Sequence, residues 1–413
     1  MSEENIERDH KKLGKQLDLF TFSNSVGKGL PLFTQRGTAM RRVLERFIVD
    51  EEIRRGYQHV HTPDIAKLDL YKKSGHYPHY KDSMYAPIVV DDEEFMLRPM
   101  TCPHHFELYL ARPHSYRELP IRMAELAGLY RYEQSGELMG LQRVRTFCLS
   151  DAHIICKDEE QAIDEISDAL DLIEYVSGVF GLEIGKDYWY RLSLGNRNDT
   201  EKYYDNPEAW EKSEDLMREL MKKRGSEFVE ADDEAAFYGP KIDVQMKNAN
   251  GKEDTAFTVQ YDFCMPDRFD LTYIGDDGKK KRAFVVHRSS VGAIERIMAF
   301  LIEHYAGSFP TWLAPEQVRV LAVSDLHIEY AKQVHQELKN AGIRAELDVS
   351  KDKLGKKTHK VTQLKVPYTI IIGDSELKDR NITLESRDDG KIGSLSVEDF
   401  VKRVKNEYPK PVQ

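Results

Sequence analysis

Cys102 in RPMTCPHH, His153 in LSDAHIIC and His287 in AFVVHRSS have side chains that together suit one metal ion. One thiolate and two imidazoles match zinc, and three protein ligands leave a fourth position open for another molecule. Distance along the chain argues neither for nor against such a site. A buried cysteine is often just a small hydrophobe, and many histidines are structural. Each of the three lies beside a stretch that reads as a strand.

A second constellation is rich in arginine. LYRYEQSGELMGLQRVRTF (129–147) reads as strand, glycine-containing loop, strand. Alternate side chains of a strand share a face. Arg131 and Glu133 are therefore expected to point together on one strand, and Arg143 and Arg145 on the next. Guanidinium groups grip phosphate oxygens through paired donors, and a fixed carboxylate can accept from an adenine amino group. The plainer alternative is a cross-strand ladder of ion pairs on a solvated face. SSVGAIERIMAFLIEHY adds a glycine-opened amphipathic helix with Arg296 near its start, outside the apolar stripe.

The elements that must carry these residues follow from periodicity. Met40, Val43, Leu44, Phe47 and Ile48 have helical spacing over 38–50, with Gly37 and Thr38 as the start signal. YQHVHTPDI then reads as a strand stopped by Pro63. Residues 159–180 form an amphipathic helix with Ile163, Ile166, Leu170 and Ile173 on one face. The acidic stretch 196–236 reads as a helical insertion, and AFTVQYDFCM and RAFVVHR as strands. GSFPTWLAPEQV (307–318) marks a boundary. Beyond it, strands VRVLAV, IRAELDV and YTIIIG alternate with helices, the last helix capped by Ser396.

Composition sets outer limits. The 413 residues are 40% hydrophobic and 32% charged, with a net charge of −11 and four cysteines. That length supports two or three domains. Four cysteines do not make a disulfide framework. No apolar run is long enough for a bilayer, and the polar start MSEENIERDHKKLGK is not a signal peptide, so the cytoplasm is expected. Bulk charge does not announce a nucleic-acid partner; only a local basic face would serve.

The segments resemble one family. RYE with its loop resembles motif 2 of class II aminoacyl-tRNA synthetases, VGAIERI resembles motif 3, and the helix–strand ending at Pro63 resembles the dimer-forming motif 1. LDLYKKSGHYPHYKDSMY, SYRELPIRMAEL, AAFYGPKIDV, PDRFDLTYIG and FPTWLAP, with the metal stretches, are similar to the threonyl-tRNA synthetase family from about residue 9 onward. The resemblance implies an α/β fold: a class II catalytic domain (1–310) built on an antiparallel sheet flanked by helices. A mixed-sheet α/β anticodon-binding domain (311–413) follows.

It further implies a homodimeric ligase that uses ATP with Mg2+, L-threonine and tRNA(Thr). Cys102, His153 and His287 match the family's zinc ligands, one ion per subunit. Arg131 matches the arginine on the α-phosphate and amino-acid carboxylate, Glu133 the adenine reader, and Arg143 and Arg296 the arginines on the far phosphates. Asp151, Tyr238, Lys241 and Gln260 match amino-acid pocket positions. His76 matches a histidine that deprotonates a ribose 2′-hydroxyl, and Glu376 an anticodon contact.

The chain also departs from the pattern. Thr101 replaces an asparagine before Cys102, and Leu149 and Thr255 replace glutamines. A leucine offers no hydrogen bond, so carboxylate binding leans on Arg131. Lys351 and Glu385 stand where an asparagine and an arginine are expected, with Lys353, Lys356, Lys357 and Lys360 as compensating cations. The family's N-terminal editing region is not in the 413 residues. Serine is therefore expected to be misactivated and not cleared in cis: either a separate trans-editing protein corrects the error, or these residues are part of a longer chain, or the error is tolerated. Two alternatives stay open: a paralogue that loads a non-tRNA acceptor, and a non-catalytic regulatory or resistance paralogue.

Overall fold

The computed structural model describes residues 8–410. It divides into two compact units, one of residues 26–30 and 47–297, the other of residues up to 25, 31–46 and 298 onward. These units do not follow a single cut at residue 310.

The larger unit is organised by an eight-stranded sheet. Its strands are β1 (Gln58–His59), β2 (Ile121–Tyr130), β3 (Thr146–Cys156), β4 (Tyr188–Ser193), β5 (Phe228–Ala231), β6 (Lys241–Lys247), β7 (Glu253–Asp262) and β8 (Phe284–Ser289). The spatial order is β5-β4-β6-β7-β8-β3-β2-β1. The central pairings are antiparallel, and only the edge strands β5 and β1 pair in parallel. The register β8–β3 sets His287 directly opposite His153. Helix Glu159–Val179 packs on this sheet. Asp158 caps it by accepting from the Gln161 N–H at 2.9 Å, and Ile166, Leu170, Ile173 and Val176 are fully buried. Burying each such side chain is worth about 1.5–3 kcal/mol.

Several local expectations need correction. The first long helix runs Gln35–Arg54, not from residue 38. Thr34 is its cap, taking the Gly37 N–H on its hydroxyl at 3.1 Å and the Thr38 N–H on its carbonyl at 2.8 Å. The strand expected up to Pro63 shrinks to Gln58–His59. The stretch 196–236 holds one helix, Pro207–Lys223, and also β5, which extends the main sheet. Cys102 does not flank a strand; it opens helix Cys102–Leu110, with Pro103 in the first turn.

The other unit contains a five-stranded mixed sheet. Ala345–Asp348, Val318–Ala322 and Tyr368–Ile372 run parallel, and Ile382–Ser386 and Gly390–Leu395 join antiparallel. Val320, Ile370, Ile372, Leu384 and Phe400 form its dry core. Ser396 caps the final helix through the Asp399 N–H at 3.1 Å. Among the described residues no helix is long and apolar enough to cross a membrane.

Candidate active site

A cavity of about 320 Å³ lies over β3, β6, β7 and β8. Its wall includes Arg131, Glu133, Arg143, Arg296, Asp151, Tyr238, Lys241, Gln260, Cys102, His153 and His287. The structure thus gathers eleven of the thirteen residues to which the resemblance assigns a role. His76 and Glu376 are not in the wall.

At one end, ligand atoms of Cys102, His153 and His287 all lie within 4.8 Å of one another, and all three residues are buried. Each imidazole has one nitrogen engaged. The His287 Nε2 sits 2.6 Å from Asp262 Oδ2, and the His153 Nδ1 sits 2.8 Å from His105 Nδ1. Such outer partners typically orient histidine ligands. Burial pushes the Cys102 thiol up and holds the His153 imidazolium well below its usual range. Both shifts are the cost of charge in a dry setting, and a divalent cation would reverse the first by stabilising the thiolate. The donor set therefore fits zinc. Asp151 stands mid-strand, with its carboxylate 3.9 Å from the His153 ring and pushed up by burial. Tyr238 stacks on His287 at 4.9 Å and donates its hydroxyl to Gln260. Lys241 reaches Asp243 at 2.8 Å.

At the other end the arginines converge, but not from strands. β2 stops at Tyr130 and β3 starts at Thr146, so residues 131–145 form a loop. The alternation argument fails there because the ladder ends one rung later, where the Arg131 N–H meets the Arg145 carbonyl at 3.0 Å. Arg145 is not in the wall. Its Nε and Nη2 hold the Glu133 carbonyl at 3.0 and 2.9 Å, and it stacks over Tyr132. It shapes the loop that presents Glu133. Arg131 lies over the Phe147 ring at 5.2 Å, and burial lowers its pKa. Arg296 is half-buried and lines the cavity. It bonds the Gln142 carbonyl at 3.0 Å and the Thr255 carbonyl at 2.6 Å. Leu149 and Thr255 both face the cavity.

His76 is completely buried, with Nε2 3.7 Å from Cys102 Sγ and Nδ1 2.8 Å from Ser74 Oγ. Burial, aided by nearby cationic groups, holds its pKa at about 3. In the smaller unit Glu376 accepts the Gly373 N–H at 2.8 Å and the Thr383 hydroxyl at 2.7 Å. Of the lysines expected to compensate, Lys357 is buried on the Ala322 carbonyl, and Lys356 and Lys360 are both paired with Asp352.

Sequence reasoning passed over His105, Glu125 and Asp262. The only signals were the doubled histidine in PHH and carboxylates inside the apolar strands MAEL and QYDF.

Comparison with known proteins decides the family. Residues 85–305 match the tRNA synthetase class II core domain (G, H, P, S and T), and residues 317–407 match an anticodon binding domain. The chain belongs to the class II aminoacyl-tRNA synthetases. Within them it falls among the threonyl-tRNA synthetases. It is 50% identical over 402 residues to a threonine–tRNA ligase of Geobacillus sp. (strain WCH70), covering 97% of this chain and 62% of that one. It is 48% identical over 411 residues to threonine–tRNA ligase 1 of Bacillus subtilis (strain 168), covering 99% and 63%. The chain thus spans a little over three-fifths of the length of these relatives. The crystal structure titled as the RNA binding domain of threonyl-tRNA synthetase from Cryptosporidium parvum Iowa II superposes with a TM-score of 0.92 at 34% identity, covering 98% of this chain and all of that one. Threonyl-tRNA synthetase ThrRS-1 of Aeropyrum pernix, titled as putative, gives 0.81 at 29% identity, covering 97% and 98%. The two family matches fall on either side of residue 310, and the mixed α/β architecture is that of the family.

Proposed function

We propose that this chain carries the activation and transfer chemistry of a threonine–tRNA ligase, with 1–310 as catalytic domain and 311–413 as anticodon-binding domain. What supports this most is the convergence of four nucleotide-facing residues and the Cys–His–His trio in one cavity. Zinc held by Cys102, His153 and His287 would supply a Lewis-acidic corner for the amine and hydroxyl of the amino acid. Asp151 accepts from that hydroxyl, and Tyr238, Lys241 and Gln260 close the pocket around it. Glu133 accepts from the adenine amino group. Arg143 and Arg296 hold the far phosphates, which arrive with Mg2+.

A carboxylate oxygen of threonine attacks the α-phosphorus, and the bond to the departing pyrophosphate breaks. Arg131 stabilises the charge that builds up there. A ribose hydroxyl of the tRNA end then attacks the acyl carbon, and AMP leaves. His76 is the proposed acceptor of that hydroxyl's proton, which requires it to be reached past Cys102. Glu376 would contact the anticodon only by giving up bonds it makes within its own domain. A cytoplasmic homodimer completes the proposal; β1 pairs on one side only and offers an edge for a second copy. Clearing of mischarged serine falls to residues outside these 413, on the same polypeptide or another.

ATP–pyrophosphate exchange with threonine, followed by charging of total tRNA, tests this. Exchange with charging is expected. Exchange without charging would point to a non-tRNA acceptor, and no exchange to a non-catalytic paralogue.

A further inference from the structure

His105 belongs to no function assigned so far, yet it is fully buried. It is the fourth residue of the helix that Cys102 opens. Its Nε2 lies 3.2 Å from Glu125 Oε2, and its Nδ1 lies 2.8 Å from His153 Nδ1. Glu125, on β2, is itself 2% exposed. It is pinned as an acceptor from three sides: by the Thr62 N–H at 3.2 Å, the Thr62 hydroxyl at 2.8 Å and Arg98 Nη1 at 3.1 Å.

A hydrogen bond between two ring nitrogens needs one proton, not two and not none. Because Glu125 only accepts, His105 Nε2 carries the proton on that side. When that ring carries a single proton, its Nδ1 is bare and can only accept. His153 Nδ1 must therefore donate. That places the His153 proton on Nδ1 and leaves Nε2 as its lone-pair nitrogen. Polarity runs in one direction through two rings, from a fixed carboxylate to the candidate metal ligand.

We infer that the Glu125–His105 pair is a tautomer relay that keeps His153 in the form whose Nε2 can bind a metal ion. His105 is a positioning residue, and the inference rests on the zinc reading of the Cys102–His153–His287 trio. It is a statement about which atom carries a proton, so it separates substitutions that fill the same space. In His105→Gln the amide NH2 can donate to Glu125 while the amide oxygen accepts from His153, preserving the polarity. In His105→Leu the space is filled and the polarity is lost.

The test is the zinc dissociation constant of the purified 413-residue chain, measured by competition with a chromophoric chelator, with circular dichroism to verify folding. Outer partners of histidine ligands typically contribute 10- to 100-fold in metal affinity. A loss of that size is expected for His105→Leu, and less than about a third of it, on a logarithmic scale, for His105→Gln. Equal affinity of folded His105→Leu and the parent overturns the relay, as does a His105→Gln variant as weak as His105→Leu. Should His105→Leu not fold, Glu125→Gln serves instead. Its amide offers His105 a donor as well as an acceptor, so the tautomer is no longer dictated, and roughly tenfold weaker binding is expected. Unchanged affinity there also overturns the inference. A parent that binds no zinc at all removes the metal reading itself, a distinguishable failure.

Discussion

Arg288 Nη1 lies 2.5 Å from Glu52 Oε1, and both side chains are sealed from solvent; Arg288 follows His287 in β8. The Ser150 and Ser290 hydroxyls also donate to that carboxylate oxygen, at 2.9 and 3.0 Å. Removing one member of a buried pair strands the other charge, which typically costs 3–5 kcal/mol. Glu52→Ala is expected to lose about that much stability in chemical denaturation. A loss under about 1 kcal/mol would mean that water reaches Arg288 and the pair is not sealed.

Glu125 gives a pH prediction. Burial pushes its carboxyl up, but hydrogen bonds from His105 and Thr62 and the charge of Arg98 outweigh this and bring it to about 2 from 4.5. The folded value is below the unfolded one. The carboxylate therefore stabilises the fold fully above about pH 5, and that contribution fades as pH falls through 4.5 toward 2. The window corresponds to about 3 kcal/mol. Glu125→Gln should flatten the stability–pH curve below pH 5. A curve parallel to the parent's would show that other carboxylates set the acid limb.

The types of the chemical residues were legible in the sequence because each sits in a locally distinctive setting: a cysteine before proline, a histidine at the end of an apolar run. Helices with a strong apolar stripe, such as Glu159–Val179, were legible for the same reason. Connections were not. Arg131 and Arg145 looked like strand residues because polar alternation resembles a loop whose backbone merely continues the ladder by one bond. Lys357 looked like a surface cation, although its ammonium is buried against a carbonyl. His105 and Glu125 were invisible because their meaning lies in contacts 20 and 48 residues away, which no periodicity encodes.

Gly292 tests how closely the backbone around the cavity is fitted. Its φ is +65°, a region side chains rarely adopt, and an added Cβ would stand 2.0 Å from the Ala256 carbonyl oxygen. The Gly292 carbonyl also accepts the Ser150 N–H at 3.1 Å. Gly292→Ala must therefore shift backbone on two sides of the site. We expect a stability loss of at least about 1–3 kcal/mol, together with weaker ATP binding by isothermal calorimetry. Wild-type ATP affinity in this variant would show that the motif tolerates displacement.

Arg131 and the Cys–His–His trio should fail in different ways. In its proposed role Arg131 would meet charge that develops only during attack on phosphorus, so its loss should fall on the rate. Arg131→Ala is expected to slow pyrophosphate exchange by about 10²–10³-fold, the usual effect of losing one such donor. The trio instead should set which amino acid is accepted. Threonine and serine both present an amine and a hydroxyl, whereas valine matches threonine in shape but lacks the hydroxyl, a difference that an apolar pocket reads poorly and a polar site reads well. The parent chain should therefore exchange with threonine and serine and reject valine. Cys102→Ala should lose zinc by elemental analysis and lose that discrimination along with most of its threonine activity. Full zinc content in Cys102→Ala, or valine exchange by the parent at a rate near that of threonine, would remove the trio from amino-acid selection.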